Sequence, residues 1–113
     1  MAYNEKLADR IREQFAGLPR VQEKAMMGGL VFMYKGKMCV GIMHDELMCR
    51  IDPEQYDTLL EKKGCHAMTM GGRTMNGYIL VDDSGMKSKK DFEYWIGLCI
   101  EFNKKAKASK KRK

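Results

Sequence analysis

The side chains of this chain that could act as nucleophiles, bases or metal ligands include two histidines, four cysteines and eleven methionines. The histidines are His44 and His66, and the cysteines are Cys39, Cys49, Cys65 and Cys99. Cys65 and His66 are adjacent, as a reactive thiol and its base could be. Neighbouring residues of a strand point to opposite faces, however, so we predict a surface histidine beside an unreactive thiol. We assign no catalytic residue and expect the chain not to be an enzyme.

The spacing of the potential metal ligands is typical of no common metal site. The cysteines are scattered, and we expect reduced thiols that pack as small apolar residues. Methionines could bind Cu(I), but only Met68 and Met70 are closely spaced in a polar segment, and most of the others indicate core packing. The acids at residues 45–46 and 82–83 lack the spacing of a calcium loop and indicate solvated turns. We therefore predict no metal site.

Two glycine pairs, at residues 28–29 and 71–72, are the segments closest in composition to a phosphate-binding loop. Neither pair completes a dinucleotide-binding motif or a P-loop, which both need further glycines at fixed spacing. We interpret the pairs as a β-bulge and a turn and predict no bound cofactor.

Positive charge is concentrated at the C-terminal end of the sequence. Residues 104–113 hold seven of the 21 basic side chains and no acid, which leaves 14 basic against 15 acidic side chains in residues 1–103. The body is therefore nearly neutral, and attraction to DNA or RNA would come from a disordered tail. The candidate nucleic-acid-binding residues are Lys104, Lys105, Lys107, Lys110, Lys111, Arg112 and Lys113. A solubilising end without a binding role is the alternative.

Length and composition indicate one soluble domain. The 113 residues are enough for one hydrophobic core and too few for two conventional domains. Apolar residues at 44% and charged residues at 32% are typical of a globular chain. Because the sequence has no long apolar run and begins with a polar segment, we expect neither a membrane span nor a secretion signal and predict a cytoplasmic location. We assign the domain to residues 1–103 and the tail to residues 104–113.

Capping residues and apolar spacing predict three helices. Asn4 caps a first amphipathic helix, which ends at a glycine and proline near residue 18. Asp52 and Pro53 begin a second helix, which we expect to continue to about Lys63. Ser88 caps the last helix, whose apolar residues recur at i, i+3, i+4, i+7 and i+8.

Five strands are predicted, three in a meander over residues 30–34, 38–43 and 47–51 and two near residues 66–70 and 78–81. The order helix, three strands, helix, two strands, helix predicts an α+β two-layer sandwich with a mainly antiparallel sheet. Apolar residues are so dense in the meander that both faces of the sheet carry them. We expect helices on one face, and the other face to be partly covered or used for association with a protein partner or a second copy.

Four separated segments share the order and spacing of a known family. They are residues 27–33 (MGGLVFM), 36–39 (GKMC), 47–51 (LMCRI) with Pro53, and 72–78 (GRTMNGY) with Trp95. Together they resemble the N-terminal domain of the TfoX/Sxy family over about residues 3–103. Several motifs in the same order are more specific than any single glycine pair.

The resemblance implies a secretion-chaperone-like α+β fold and a bacterial regulatory role linked to competence. Longer members of the family act as coactivators beside the cyclic-AMP receptor protein and carry a second, helical domain, whereas here we expect a stand-alone first domain. The family supplies no catalytic residues. The charged residues of the shared segments, Arg50 and Arg73, are our candidates for partner or ligand binding, with structural ion pairs as the alternative.

The sequence therefore favours a non-enzymatic regulatory or adaptor module that binds a protein partner through its sheet or through its long last helix. A transcription regulator is the partner class that the resemblance implies. Two alternatives stay open: non-specific nucleic-acid binding through the tail, and a small ligand-binding domain or enzyme with a site around Arg50 and Arg73.

Overall fold

The computed structural model describes residues 4–26, 28–70 and 72–105 and folds them into a six-stranded sheet with α-helices. The helices are α1 (Glu5–Phe15), α2 (Tyr56–Leu59) and α3 (Lys89–Asn103). The strands are β1 (Val21–Met26), β2 (Gly29–Tyr34), β3 (Lys37–Met43), β4 (Glu46–Arg50), β5 (Cys65–Met70) and β6 (Arg73–Val81). The sheet order is β1-β2-β3-β4-β6-β5, and every neighbouring pair is antiparallel. The predicted α+β class is confirmed.

The long helices begin at the predicted capping residues. Asn4 Oδ1 accepts hydrogen bonds from the backbone N–H groups of Lys6 and Leu7, at 2.9 and 3.2 Å. Ser88 Oγ accepts from the N–H of Asp91 at 3.0 Å. These bonds satisfy N–H groups that have no partner within the helix.

The second helix is shorter than the sequence predicted. Asp52 caps a single 3-10 turn, Pro53–Gln55, and α2 then ends at Leu59 instead of near Lys63. Leu59 is the only fully buried residue of α2, so no apolar stripe supports further turns. The chain reverses at Gly64, whose φ of 79° lies in the left-handed region that glycine adopts without strain.

The structure contains a strand, β1, that the sequence pattern did not predict. β1 pairs with β2 along its whole length at one edge of the sheet. Residues 22–25 are exposed, so the alternation that marks a half-buried strand is missing. Arg12 of α1 holds β1 through a bidentate ion pair with Glu23, with both N···O distances at 2.8 Å. These hydrogen bonds lower the pKa of the Glu23 carboxyl.

Helices α1 and α3 pack on one face of the sheet and enclose the main core. Their buried residues in this core are Leu7, Ala8, Ile11, Phe15, Phe92, Trp95, Ile96 and Cys99. The indole N–H of Trp95 donates to the carbonyl of Gly85 at 3.0 Å, which satisfies a buried polar group. Within the described ranges, no helix has the length and hydropathy needed to cross a membrane.

Candidate functional site

The face of the sheet away from α1 and α3 carries a second apolar cluster, here called the methionine face. All six strands contribute to it, and none of the helices in the described residues does. Its members are Met26, Val31, Met33, Met38, Met43, Met48, Met68, Met75, Tyr78 and Leu80. Of the eight methionines whose side chains the structure describes, seven belong to this face, and Met86 belongs to the main core.

The alternation of side chains along each strand gathers these residues on one side. In β4, Leu47 and Cys49 belong to the main core, whereas Met48 between them belongs to the methionine face. Val31 is placed in the same way in β2. The strand register then sets Met48 beside Leu80 of β6, so neighbouring strands contribute adjacent side chains.

The methionine face has a buried centre and a partly exposed rim. At the centre, Val31, Met48 and Met68 are at most 1% exposed. The half-buried residues that pack around this centre are Met26, Met38, Met43, Met75, Tyr78 and Leu80. Because no helix of the described residues belongs to this cluster, the rim remains partly accessible to a second molecule.

Methionine gives such a surface particular binding properties. Its unbranched side chain has three rotatable bonds and a polarizable thioether, so it can adapt its shape to different apolar partners. Surfaces rich in methionine are accordingly used by proteins that bind several targets. The expected second apolar face is confirmed, whereas its use for association is developed below as a proposal.

Arg50, a predicted partner- or ligand-binding residue, lies at the end of β4. Its guanidinium carbon is 5.9 Å from the ring centroid of Tyr78 and 5.9 Å from that of Phe102. Its Nη1 donates to the carbonyl of Met38 at 3.4 Å. These contacts join β4 to β3, β6 and α3, so Arg50 helps to hold this end of the domain together.

Arg73 occupies a different part of the sheet. It is the first residue of β6, lies opposite Met70 in the β5–β6 hairpin and is exposed. Arg50 pairs instead with Tyr78, further along β6. The register therefore places the two arginines at different levels of the sheet and not side by side.

The first two basic residues of the tail contact acids of the domain. Lys104 Nζ lies 3.3 Å from Glu101, and Lys105 Nζ lies 3.4 Å from Asp52. Both lysine side chains are 71% exposed, and ion pairs of this kind contribute little to stability. The other candidate nucleic-acid-binding residues, Lys107, Lys110, Lys111, Arg112 and Lys113, lie outside the described residues.

The four cysteines are free, and the pKa values of Cys39, Cys65 and Cys99 are raised. A hydrogen bond with Cys49, followed by burial, raises the pKa of Cys99, and burial raises that of Cys39. Burial also raises the pKa of Cys65 to about 11. Thiolates are the reactive form, so these thiols are poor nucleophiles at neutral pH. Cys65 packs against the main core while the adjacent His66 is exposed, as predicted.

Cavities and shifted pKa values occur in different places. One surface cavity of about 530 Å³ is bordered by Arg10 and Asp83, and another of about 200 Å³ lies between Asp52 and Phe102. Among the described residues, the groups with shifted pKa values are Arg12, Glu23, Cys39, Cys65, Asp82 and Cys99, and none of them lines these cavities. An active site usually combines a cavity with such groups.

Comparison with known proteins identifies a family for most of the chain. A family model described as the TfoX N-terminal domain matches residues 13–103. No curated protein and no solved structure matches the chain. The matched residues include all six strands, α2 and α3, so they contain the complete methionine face.

Proposed function

The chain belongs to the TfoX N-terminal domain family, and we propose that it is a non-enzymatic adaptor module that binds a protein partner through the methionine face. The observation that carries this proposal is the half-buried rim of methionines on a sheet face to which no described helix contributes. A transcription regulator is the partner class we favour, because longer members of the family act as coactivators. The role in competence belongs to this proposal as well.

The chemistry of the methionine face fits a protein segment better than a small ligand. Its apolar members are spread across all six strands, whereas small-molecule sites are usually concave and enclose most of their ligand. An extended apolar protein segment would therefore complement the surface.

The pKa values of the titratable groups support a non-enzymatic role. The pKa values of Cys39, Cys65 and Cys99 are raised, which disfavours nucleophilic catalysis by these thiols. The other shifted groups, apart from Asp82, form the surface ion pair of Arg12 and Glu23, which joins a helix to a strand. Ion pairs of this structural kind shift pKa values without any role in a reaction.

We expect lysine substitutions on the rim to weaken partner binding. Met43→Lys and Met75→Lys place a charge on β3 and on β6, in a surface that a partner must desolvate. The partner to test first is the purified cyclic-AMP receptor protein of the same organism, with and without promoter DNA, by biolayer interferometry. Both variants should weaken binding at least tenfold, whereas a chain ending at Asn103 should bind like the full chain, also in moderate salt.

The matched control is Leu98→Lys, which adds the same charge at a half-buried leucine of α3 on the helical side of the sheet. It should bind like the unmodified chain. Equal losses for Leu98→Lys and Met43→Lys would contradict a role for the methionine face. Absence of binding by the unmodified chain would contradict the link to this regulator. Sedimentation of the unmodified chain as a dimer and of Met43→Lys as a monomer would identify a second copy as the partner.

Nucleic-acid binding through the tail is a second candidate function, favoured by the seven basic side chains in residues 104–113. We expect labelled duplex DNA to bind the full chain and not a chain ending at Asn103, as measured by fluorescence anisotropy. Because each neutralised phosphate releases counterions, the affinity should fall steeply with salt, with a logarithmic slope no steeper than about −6 for seven contacts. Binding by neither form would contradict direct contact with DNA.

A further inference from the structure

Three potential metal ligands, two in strands and one directly after a strand, meet on the methionine side of the sheet. They are Glu46 at the start of β4, His66 in β5 and Asp82 directly after β6, and one ligand atom from each lies within 4.8 Å of the other two. His66 Nε2 is 2.6 Å from Glu46 Oε2. These residues are far apart in the sequence, so no short motif indicates the cluster.

The register of the sheet fixes this arrangement. Met48, Leu80 and His66 lie side by side across β4, β6 and β5. Glu46 lies two residues before Met48, and Asp82 lies two residues after Leu80. Because side chains two residues apart in extended backbone share a face of the sheet, both lie on the face of His66. The backbone positions of the three ligands are therefore set by hydrogen-bonded strands.

Asp82 is also oriented by its own neighbourhood. Its Oδ1 accepts hydrogen bonds from the backbone N–H of Ser84 at 2.9 Å and from Ser84 Oγ at 2.5 Å. In metal sites, such hydrogen bonds orient the ligating groups and raise the affinity.

The charge of the cluster favours an added cation. Two carboxylates lie close together beside the imidazole of His66. A divalent cation would offset the negative charge of the carboxylates, and its binding would replace the hydrogen bond between His66 and Glu46.

We infer that Glu46, His66 and Asp82 form a binding site for a borderline divalent transition-metal ion such as Zn²⁺. One imidazole nitrogen and two carboxylate oxygens suit such an ion, whereas Mg²⁺ and Ca²⁺ prefer oxygen ligands alone. Tetrahedral coordination with bonds of 2.0–2.1 Å places ligand atoms about 3.3 Å apart. His66 Nε2 lies 2.6 Å from Glu46 Oε2, and all three ligand atoms lie within 4.8 Å of one another, so the cluster is close to the spacing that the ion requires.

The site is accessible to an ion from solution. The side chains of His66 and Glu46 are 47% and 31% exposed. With three protein ligands, at least one coordination position stays open for water or for a group of another molecule. The site therefore does not depend on a partner to take up its metal.

The test is calorimetric titration of the full chain with Zn²⁺ alone, in parallel with Co²⁺ absorption spectroscopy. We expect one ion per chain, and visible Co²⁺ bands without the near-ultraviolet band of a thiolate ligand. His66→Gln and Glu46→Gln should each weaken the affinity at least tenfold. Ser84→Ala, which removes a positioning hydroxyl, should weaken it about tenfold.

The matched control is His44→Gln, the same change at the only other histidine of the sequence, and it should bind Zn²⁺ like the unmodified chain. Thermal unfolding supplies a second measurement, because Zn²⁺ should raise the Tm of the unmodified chain and not that of His66→Gln. Failure of the unmodified chain to bind, equal binding by His66→Gln, or a thiolate band from Cys65 would each overturn the assignment.

Discussion

Gly29→Ala is expected to lower the free energy of unfolding by about 4 kcal/mol or more. A Cβ atom at Gly29 would lie 1.9 Å from the carbonyl oxygen of Ile42 and 3.1 Å from its carbonyl carbon. Both are backbone atoms, so no rotamer change can relieve the overlap. The first pair of the β2–β3 ladder, Leu30 opposite Ile42, would have to separate. Urea denaturation followed by circular dichroism measures the effect.

The control is the same substitution at Gly97, in the interior of α3. A Cβ there would meet nothing within 4 Å, and alanine is favoured over glycine in a helix by about 0.5–1 kcal/mol. Gly97→Ala should therefore raise the urea midpoint slightly. Equal urea midpoints for Gly29→Ala and the unmodified chain would contradict the close approach of β2 and β3.

The sequence indicated structural roles for Gly28 and Gly29 but did not distinguish between them. Gly28 has a φ of 75° and belongs to the turn between β1 and β2, which composition alone can suggest. The role of Gly29 depends on the distance to a strand that follows later in the chain. Such a distance is a property of tertiary packing and has no local pattern.

The same distinction explains which elements the sequence predicted. Helices α1 and α3 carry capping residues and apolar stripes, and β2, β3 and β4 are joined by short turns, so local patterns suffice for them. β1 is an exposed edge strand whose pairing is set by β2. Its polar residues give no periodic signal, and the strand was missed for that reason.

The candidate sites were predictable to different degrees. Apolar residues on both faces of the meander predicted a second apolar surface, and the methionine face confirms it. The cluster of Glu46, His66 and Asp82 depends on β6 lying between β4 and β5. Because β5 precedes β6 in sequence and yet occupies the edge, this order could not be read from consecutive hairpins.

Met48→Ala is expected to lower the free energy of unfolding by about 2–5 kcal/mol, the range for buried methionine. Met48 is 0% exposed at the centre of the methionine face. Gly41 is the partner of Met48 in the β3–β4 register, and a Cβ atom added at Gly41 would lie 3.0 Å from the Cε atom of Met48. The side chain therefore covers a glycine that leaves room for it, and alanine would leave a cavity there. Met48→Leu conserves the volume and should cost less than about 1.5 kcal/mol.

The matched comparison for Met48→Ala is Met43→Ala on the rim. Met43 is half-buried, so its truncation removes less buried apolar surface than the truncation of Met48. Met43→Ala should therefore lower the free energy of unfolding clearly less than Met48→Ala in the same urea denaturation. Equal costs would contradict a division into a buried centre and an accessible rim. If the costs differ as expected, the centre of the methionine face stabilises the sheet without a partner, and the rim methionines can be replaced to test binding in a folded domain.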